Sequence, residues 1–359
     1  MQEPKEQALV VQTAYMELYR LCEDSMAYAG DLAVLADATG KISVVGKTIR
    51  KRRYCYAQYV DGAGRQRQCY LGPEDAAATQ HIVDLLASGE WNHALDSRRS
   101  IRKMLVQAGF VATPKLMEGA LLTLQQTGLL QSGVTMIGTP AYIALMHRYG
   151  YTLPAPVQTN DVDLSIDRLN LAMPDSIAVE SVLKAWNDRI SAIPTLSRKA
   201  GEYSLKIRGK DFHIDFLTNG RYMELGKSIT IPHIGFSAQA VPFLDYLTKD
   251  SDRALLMTRY GMLVPVPDAA RLLWSKCVTA ACRPQAMEGK RAKDVQQVLT
   301  LFSILKDRDP DRLEMALEAI PEIQEPDIFL KKLNSTLKLP VLSEVRAFAY
   351  PILGRLNKN

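Results

Sequence analysis

"QTNDVDLSID", residues 158–167, places two carboxylates one residue apart in a stretch that otherwise reads as a strand. At period two, Val162, Leu164 and Ile166 fall on one face and Asp161, Asp163 and Ser165 on the other. Asp is a poor strand former, and like charges side by side repel. Such a strand is explained if a cation or a reaction needs both acids together.

A third carboxylate has the same setting. In "FHIDF", residues 212–216, Phe212, Ile214 and Phe216 face one way and His213 and Asp215 the other. Three acids on adjacent strands of one sheet would raise each other's pKa values unless a divalent ion neutralised them. Mg²⁺ (or Mn²⁺) takes carboxylate oxygens and completes its shell with water and substrate phosphates. Two such ions about 4 Å apart can activate an attacking oxygen and stabilise leaving pyrophosphate. Upstream, "GVTMIGT" reads as a buried strand and "TPAYIALMHRYG" as a short helix. Thr139 is the expected N-cap, Pro140 the first helical residue and Gly150 the stop. The Gly138-Thr139 turn and the helix start could hold a phosphate.

In this order, Gly138-Thr139, Asp161-Val162-Asp163 and Asp215 resemble the signature of the DNA polymerase β-type nucleotidyltransferase superfamily. The family's usual Gly-Gly or Gly-Ser is Gly-Thr here, which keeps a hydroxyl. Further on, "VPVPDAARLLWSKCVTAACR…GKRAKDVQQVL" looks like the Pro…Lys…Arg…Lys-Asp pattern of bacterial proteins related to abortive-infection toxin enzymes. The segment "RYCYAQYVDGAGRQRQCYLGP" also resembles the front of one such group, so the likeness covers about residues 40–300. The resemblance implies that Asp161, Asp163 and Asp215 hold two metal ions and that Gly138 and Thr139 hold the triphosphate of an NTP such as ATP. Lys276, Arg291 and Lys293 would then clamp the phosphates. The implied activity moves a nucleoside monophosphate onto an acceptor hydroxyl. The alternative for Arg291 and Lys293 is a solvated helix face on which Asp294 could pair with them.

Composition bounds this reading. A chain of 359 residues with 47% apolar and 23% charged residues has the make-up of a folded globular protein. No apolar run approaches the roughly eighteen residues a membrane helix needs. The first residues, "MQEPKEQALVVQ", carry early acids and are not expected to be a secretory signal. Five cysteines without metal-ligand spacing suit a reducing, cytoplasmic setting. The net charge is +5, yet residues 41–70 hold eight Lys/Arg against one acid, Asp61. A patch so localised indicates an anionic partner. Two Tyr-bearing runs flank Asp61-Gly62-Ala63-Gly64, a hairpin signal. Its basic residues Arg50, Lys51, Arg52, Arg53, Arg65 and Arg67, with Tyr54 and Tyr56 interleaved, are the expected nucleic-acid-binding set. The other reading is an edge strand kept from aggregating by its charges.

The expected architecture is α+β. Residues 1–95 form an N-terminal helical region with a basic β-hairpin at about 41–72. Residues 96–250 form a polymerase β-like core with a mixed sheet and flanking helices, and residues 251–359 a helical domain. Residues 5–29 and 176–193 are expected as helices, and "EYSLKIRGKDFHIDFLTNG" as a hairpin turning at 208–211. The acceptor expected from the basic hairpin is RNA, such as a tRNA end; the resemblance to abortive-infection toxin enzymes implies a toxin–antitoxin setting. A protein or small-molecule acceptor, or a catalytically silent nucleic-acid-binding regulator, are the alternatives.

Overall fold

The alternation in residues 161–166 builds the centre of a sheet, and the rest of the chain is arranged around it. The computed structural model describes residues 4–25, 32–36, 38–61, 64–153, 159–166, 177–195 and 201–356. Strand β1 (Lys5–Glu6) leads into helix α1 (Leu9–Asp24), so the helix expected over 5–29 begins four residues late because Lys5–Glu6 pairs with a later strand; residues 26–29 lie outside the described residues. Strands β2 (Ala38–Ile49), β3 (Arg52–Asp61) and β4 (Gln66–Pro73) then pair antiparallel in chain order. The expected hairpin is β3–β4; of its turn, Gly62 and Ala63 lie outside the described residues. Strand β2 is an addition. Eight of its twelve residues are exposed and none is buried; Ala38 and Ile42 touch the core, but the ladder to β3 holds most of its length and no period-two burial marks it. Helices α2 (Ala77–Ser88) and α3 (Trp91–Gln107) cover the other face of this sheet, where Cys55, Ala57, Tyr59, Cys69 and Leu71 meet Ile82 and Leu95.

The central part runs α4 (Lys115–Gln126), β5 (Val134–Ile137), α5 (Gly138–Arg148), β6 (Tyr151–Thr152) and β7 (Asp161–Ile166). Next come α6 (Val179–Trp186), β8 (Ile190–Ala192), β9 (Ser204–Ile207), β10 (His213–Asn219), β11 (Ser228–Ile231) and β12 (Phe236–Val241). The helix expected over 176–193 is therefore cut short. Asn187 turns to extended backbone and Ile190–Ala192 joins the sheet. The sheet has seven strands in the order β11-β12-β10-β7-β5, with β9 on β10 and β8 on β9. β10 runs parallel to β7 and β12 and antiparallel to β9, so the sheet is mixed and the fold is α+β. One edge of β10 is shared, with β9 alongside residues 213–215 and β12 alongside 217–219.

Helix α7 (Leu244–Thr248) and the hairpin β13 (Asp252–Leu256) and β14 (Met262–Val266) follow. Residues 251–266 were expected within the helical tail; their strand pairing is a correction. Arg98, fully buried on α3, donates to the carbonyls of Tyr260 and Gly261 and ties α3 to this hairpin. The tail is helical: α8 (Ala269–Cys282), α9 (Glu288–Arg308), α10 (Pro310–Glu318), α11 (Pro326–Leu337) and α12 (Ser343–Leu356). Asp268 caps α8, accepting from the N–H groups of Ala270 and Arg271. One apolar cluster runs from Met117 to Leu353 and so crosses residue 250 without a break, packing α8–α12 on the sheet. Among the described residues no helix is long and apolar enough to cross a membrane.

Candidate active site

Burial explains the strand faces. Val162, Leu164, Ile166, Ile214 and Phe216 are at most 1% exposed, which leaves the acids on the opposite face. In the β7–β10 ladder Asp215 lies directly opposite Asp163, and His213 opposite Asp161. Adjacent positions in a parallel ladder share a face, so all three carboxylates project to one side of the sheet. Asp161 is exposed, with an Oδ1 3.5 Å from His213 Nδ1. Asp215 accepts a hydrogen bond from the hydroxyl of Ser204 on the neighbouring β9. Asp163 has no ion pair among the described residues. Its pKa is pushed up to about 6, first by loss of water and then by Asp215 and Asp161, against the pull of Lys276 and Lys290.

Gly138 is fixed by this arrangement. Ile137, the last residue of β5, is paired with Asp163, so the chain passes the carboxylate as it leaves the sheet. Gly138 has φ +74°, and a Cβ there would lie 2.3 Å from Asp163 Oδ2. Any side chain would meet both the left-handed backbone penalty and the carboxylate. Helix α5 opens at Gly138, two residues earlier than expected, and Ile137 takes the N-cap position without a side-chain cap. Thr139 is therefore not the cap. Its hydroxyl accepts from Lys293 Nζ at 2.9 Å.

The C-terminal helices bring cations to the acids. Lys276 Nζ and Arg283 Nε, seven residues apart on or just past α8, both bond to Asp294 of α9 at 3.0 Å. The Asp294 side chain is only 3% exposed. Asp294 thus pairs with Lys276 and Arg283, not with Arg291 and Lys293 on a solvated helix face. The Lys293 pKa is lowered by burial and then by the positive Lys276. Arg291 stands apart. A helix turns about 100° per residue, which carries Arg291 off the face of Lys290 and Lys293 into a neighbouring pocket of about 580 Å³ with Glu288 and Leu339. Sequence reasoning missed Ser204, Arg283 and Lys290. The seven-residue spacing from Lys276 to Arg283 and the three-residue spacing from Lys290 to Lys293 were the available signals.

A cleft of about 280 Å³ is lined by Gly138, Asp163, Lys276 and Arg283 and by apolar residues that include Leu217, Phe243 and Phe329. Phe243 has φ +67°, a left-handed backbone uncommon for a bulky residue. The Ser275 hydroxyl is buried in this lining with no hydrogen-bond partner among the described residues.

These residues fit a hard divalent cation in a limited sense. Among the described residues no three His, Cys, Asp or Glu side chains form a ready metal cage. Mg²⁺ does not require one: it commonly takes one or two carboxylates and draws its other ligands from water and phosphate. The paired Asp163 and Asp215, with Asp163 destabilised as an anion, supply such a donor set.

The basic sheet differs from the expected hairpin in how its charge is held. Arg52 pairs with Asp75, Arg53 with Glu74, and Arg65 and Arg67 both with Asp61. Two of these acids lie just beyond the basic stretch. Arg50 and Lys51 form the β2–β3 turn, and among the described residues they and Lys41 have no acidic partner. Tyr54 and Tyr56 are half-buried on the face away from the core, while Tyr59 is in the core.

The acids in register, the close glycine and the cations from α8 and α9 all lie within one stretch of the chain, residues 138–294. Consistent with this, the chain belongs to a nucleotidyltransferase family, whose model matches residues 115–321. No curated protein and no solved structure matches the chain.

Proposed function

We propose that the protein is a metal-dependent nucleotidyltransferase that moves a nucleoside monophosphate from an NTP to an acceptor hydroxyl. The observation that carries the reading is the Asp163–Asp215 pair, directly opposed across the β7–β10 ladder, with Gly138 closed against Asp163 in a cleft that also holds Lys276 and Arg283. In this reading Asp161, Asp163 and Asp215 hold Mg²⁺ or Mn²⁺. When bound, the metal would neutralise the phosphates and favour the ionised form of the attacking hydroxyl. The chain's own residues do the rest. Gly138 leaves room beside Asp163, and Lys293, held at Thr139, stands ready to contact a phosphate. Asp294 keeps Lys276 and Arg283 extended along the cleft.

RNA is the proposed acceptor, on the strength of the basic N-terminal sheet. The pattern Lys276…Arg291-Ala292-Lys293-Asp294 supports a place near abortive-infection toxin enzymes. The test incubates the protein with each labelled NTP, Mg²⁺ or Mn²⁺ and total cellular RNA. Label should pass to RNA with wild type and not with Asp163→Asn. Label in protein or small molecules instead would reassign the acceptor, and no transfer to anything under any NTP would refute the reading.

A further inference from the structure

We propose that the outward face of the β2–β3–β4 sheet is a platform for single-stranded nucleic acid. This rests on the RNA-acceptor reading and goes further by naming the face and the side chains that touch the strand.

The register decides which residues share that face. Odd-numbered residues of β3 (Cys55, Ala57 and Tyr59) turn into the core, so Tyr54, Tyr56 and Gln58 turn out. Cross-strand pairing adds Lys47 opposite Tyr54, Tyr70 opposite Tyr56 and Gln68 opposite Gln58. The side chains meet one another. The Tyr70 ring lies 5.3 Å from that of Tyr56 and 6.0 Å from that of Tyr54. Lys47 Nζ sits 4.4 Å above the Tyr56 ring and donates to Gln68 Oε1 at 2.6 Å, while Gln68 Nε2 donates to Gln58 Oε1. Tyr70 is nearly buried and backs the two half-exposed rings.

This is a surface of phenol rings, tilted 49–56° against Tyr70, with amides and one ammonium group. Bases stacked inside a duplex cannot lie on rings, whereas the unstacked bases of a single strand can. Amides of Gln58 and Gln68 present donors and acceptors to base edges. Phosphates would be met at the end of the sheet. Arg50 and Lys51 occupy the β2–β3 turn with φ +48° and +68°, backbone values that such hairpin turns usually give to Asn or Gly. The strained turn carries two exposed cations with no acidic partner among the described residues. The four arginines of the neighbouring strands are held by acids. Binding therefore falls to Lys47, Arg50, Lys51, Tyr54 and Tyr56, not to Arg52, Arg53, Arg65 or Arg67.

The experiment measures fluorescence anisotropy of labelled 12-nucleotide RNA, the same sequence as DNA, its RNA duplex and an acidic peptide. It uses the full-length chain without NTP at several salt concentrations. Single strands should bind more tightly than duplex or peptide, and the RNA and DNA arms report which sugar is preferred. Tyr54→Ala or Tyr56→Ala should weaken binding roughly fivefold or more, and Tyr→Phe at either position should restore it. The paired Arg50→Gln and Lys51→Gln substitutions, on an exposed turn, should lower the log–log salt slope by about 0.7 for each phosphate left without its cation. Arg20→Gln on α1 serves as a charge control and should change nothing. Equal affinity for duplex, peptide and single strand, or equal loss from Arg20→Gln, would overturn the platform. Loss of binding with intact NTP turnover would leave the transferase reading standing, whereas binding without transfer to any acceptor would do the reverse.

Discussion

In the cleft, Asp163 faces Asp215 across a strand ladder with no ion-paired base among the described residues. On the N-terminal sheet, by contrast, Arg52, Arg53, Arg65 and Arg67 each have an acid within 3.1 Å. The first region concentrates like charge where it is half-buried and leaves it uncompensated. The second spreads charge over exposed side chains and answers most of it locally. Exposed pairs are screened and contribute little to stability, so the sheet's charge is inexpensive. Carboxylates crowded in a cleft destabilise the fold, and a sequence keeps them where a ligand relieves the repulsion. Charge that the fold leaves unpaired is thus the better guide to function in both regions: the acids in one, and Lys41, Arg50 and Lys51 in the other.

The largest effect expected is on transfer. Asp163→Asn, or chelation of divalent metal from wild type, should lower the rate roughly a hundredfold or more. Asp163→Asn with Asp215→Asn should be no worse than either alone if the two act as a unit. Near-full activity of Asp163→Asn would erase the difference between the two regions.

Gly138→Ala comes next. The left-handed backbone alone costs about 1–2 kcal/mol, and the added Cβ must also displace the Asp163 carboxylate. Thermal unfolding should show the loss of stability, and transfer should fall with it. A variant as stable and active as wild type would mean that the close approach is not maintained in solution.

The pH dependence follows from Asp163. Its proton is held more tightly in the folded chain, with a pKa of about 6, than in the unfolded chain, near 3.8. The carboxyl therefore imposes no penalty well below pH 4, and one appears as pH rises from about 4 to 6. By the usual conversion the full penalty is roughly 2–3 kcal/mol above pH 6. In metal-free buffer Asp163→Asn should melt at a higher temperature than wild type at pH 7.5, with the gap closing toward pH 4. A gap that does not vary with pH would show that the charge on this water-poor, crowded carboxylate is not the cause.

Smaller effects test single interactions. Thr139→Val removes the acceptor that holds Lys293 and should raise the KM for NTP several-fold with little change in stability, since the hydroxyl caps nothing. Thr139→Ser should be close to silent; equal damage from both would point to packing of the methyl group. Least of all, Glu74→Gln frees Arg53 from an exposed pair and should leave the melting temperature unchanged. A clear loss of stability would show that the sheet depends on its charge pairing more than its exposure indicates.

Much of the acid site was legible because period two is a strong signal. The apolar partners of Asp163 and Asp215 fixed which face the acids take, and the glycine ending β5 marked the close approach. Register was not legible. Nothing local says that Asp215 sits opposite Asp163, or that Ser204 reaches it from β9. Strand β2 was missed because an exposed strand held by ladder bonds has no apolar period. The pairing of Arg52 and Arg53 was missed because their acids, Asp75 and Glu74, fall just past the basic stretch, so a count of charge within it overstated what is available. Thr139 looked like a cap because Pro140 follows it, yet the helix starts two residues sooner, directly after Ile137 pairs with Asp163.

The groups that act on Asp163 come from distant parts of the chain: Gly138 just after β5, Asp215 on β10, Lys276 on α8 and Lys290 on α9. Pairings so far apart in sequence are costly to close early in folding. A chain synthesised from its N-terminus can pair β7 with β10 before α8 and α9 exist, but at that stage it holds acids without the cations that face them. The cleft becomes complete only when the last helices dock on the apolar surface they share with the sheet. Fragments that end before α8 would therefore keep the carboxylates and lack Lys276, Arg283 and Lys293.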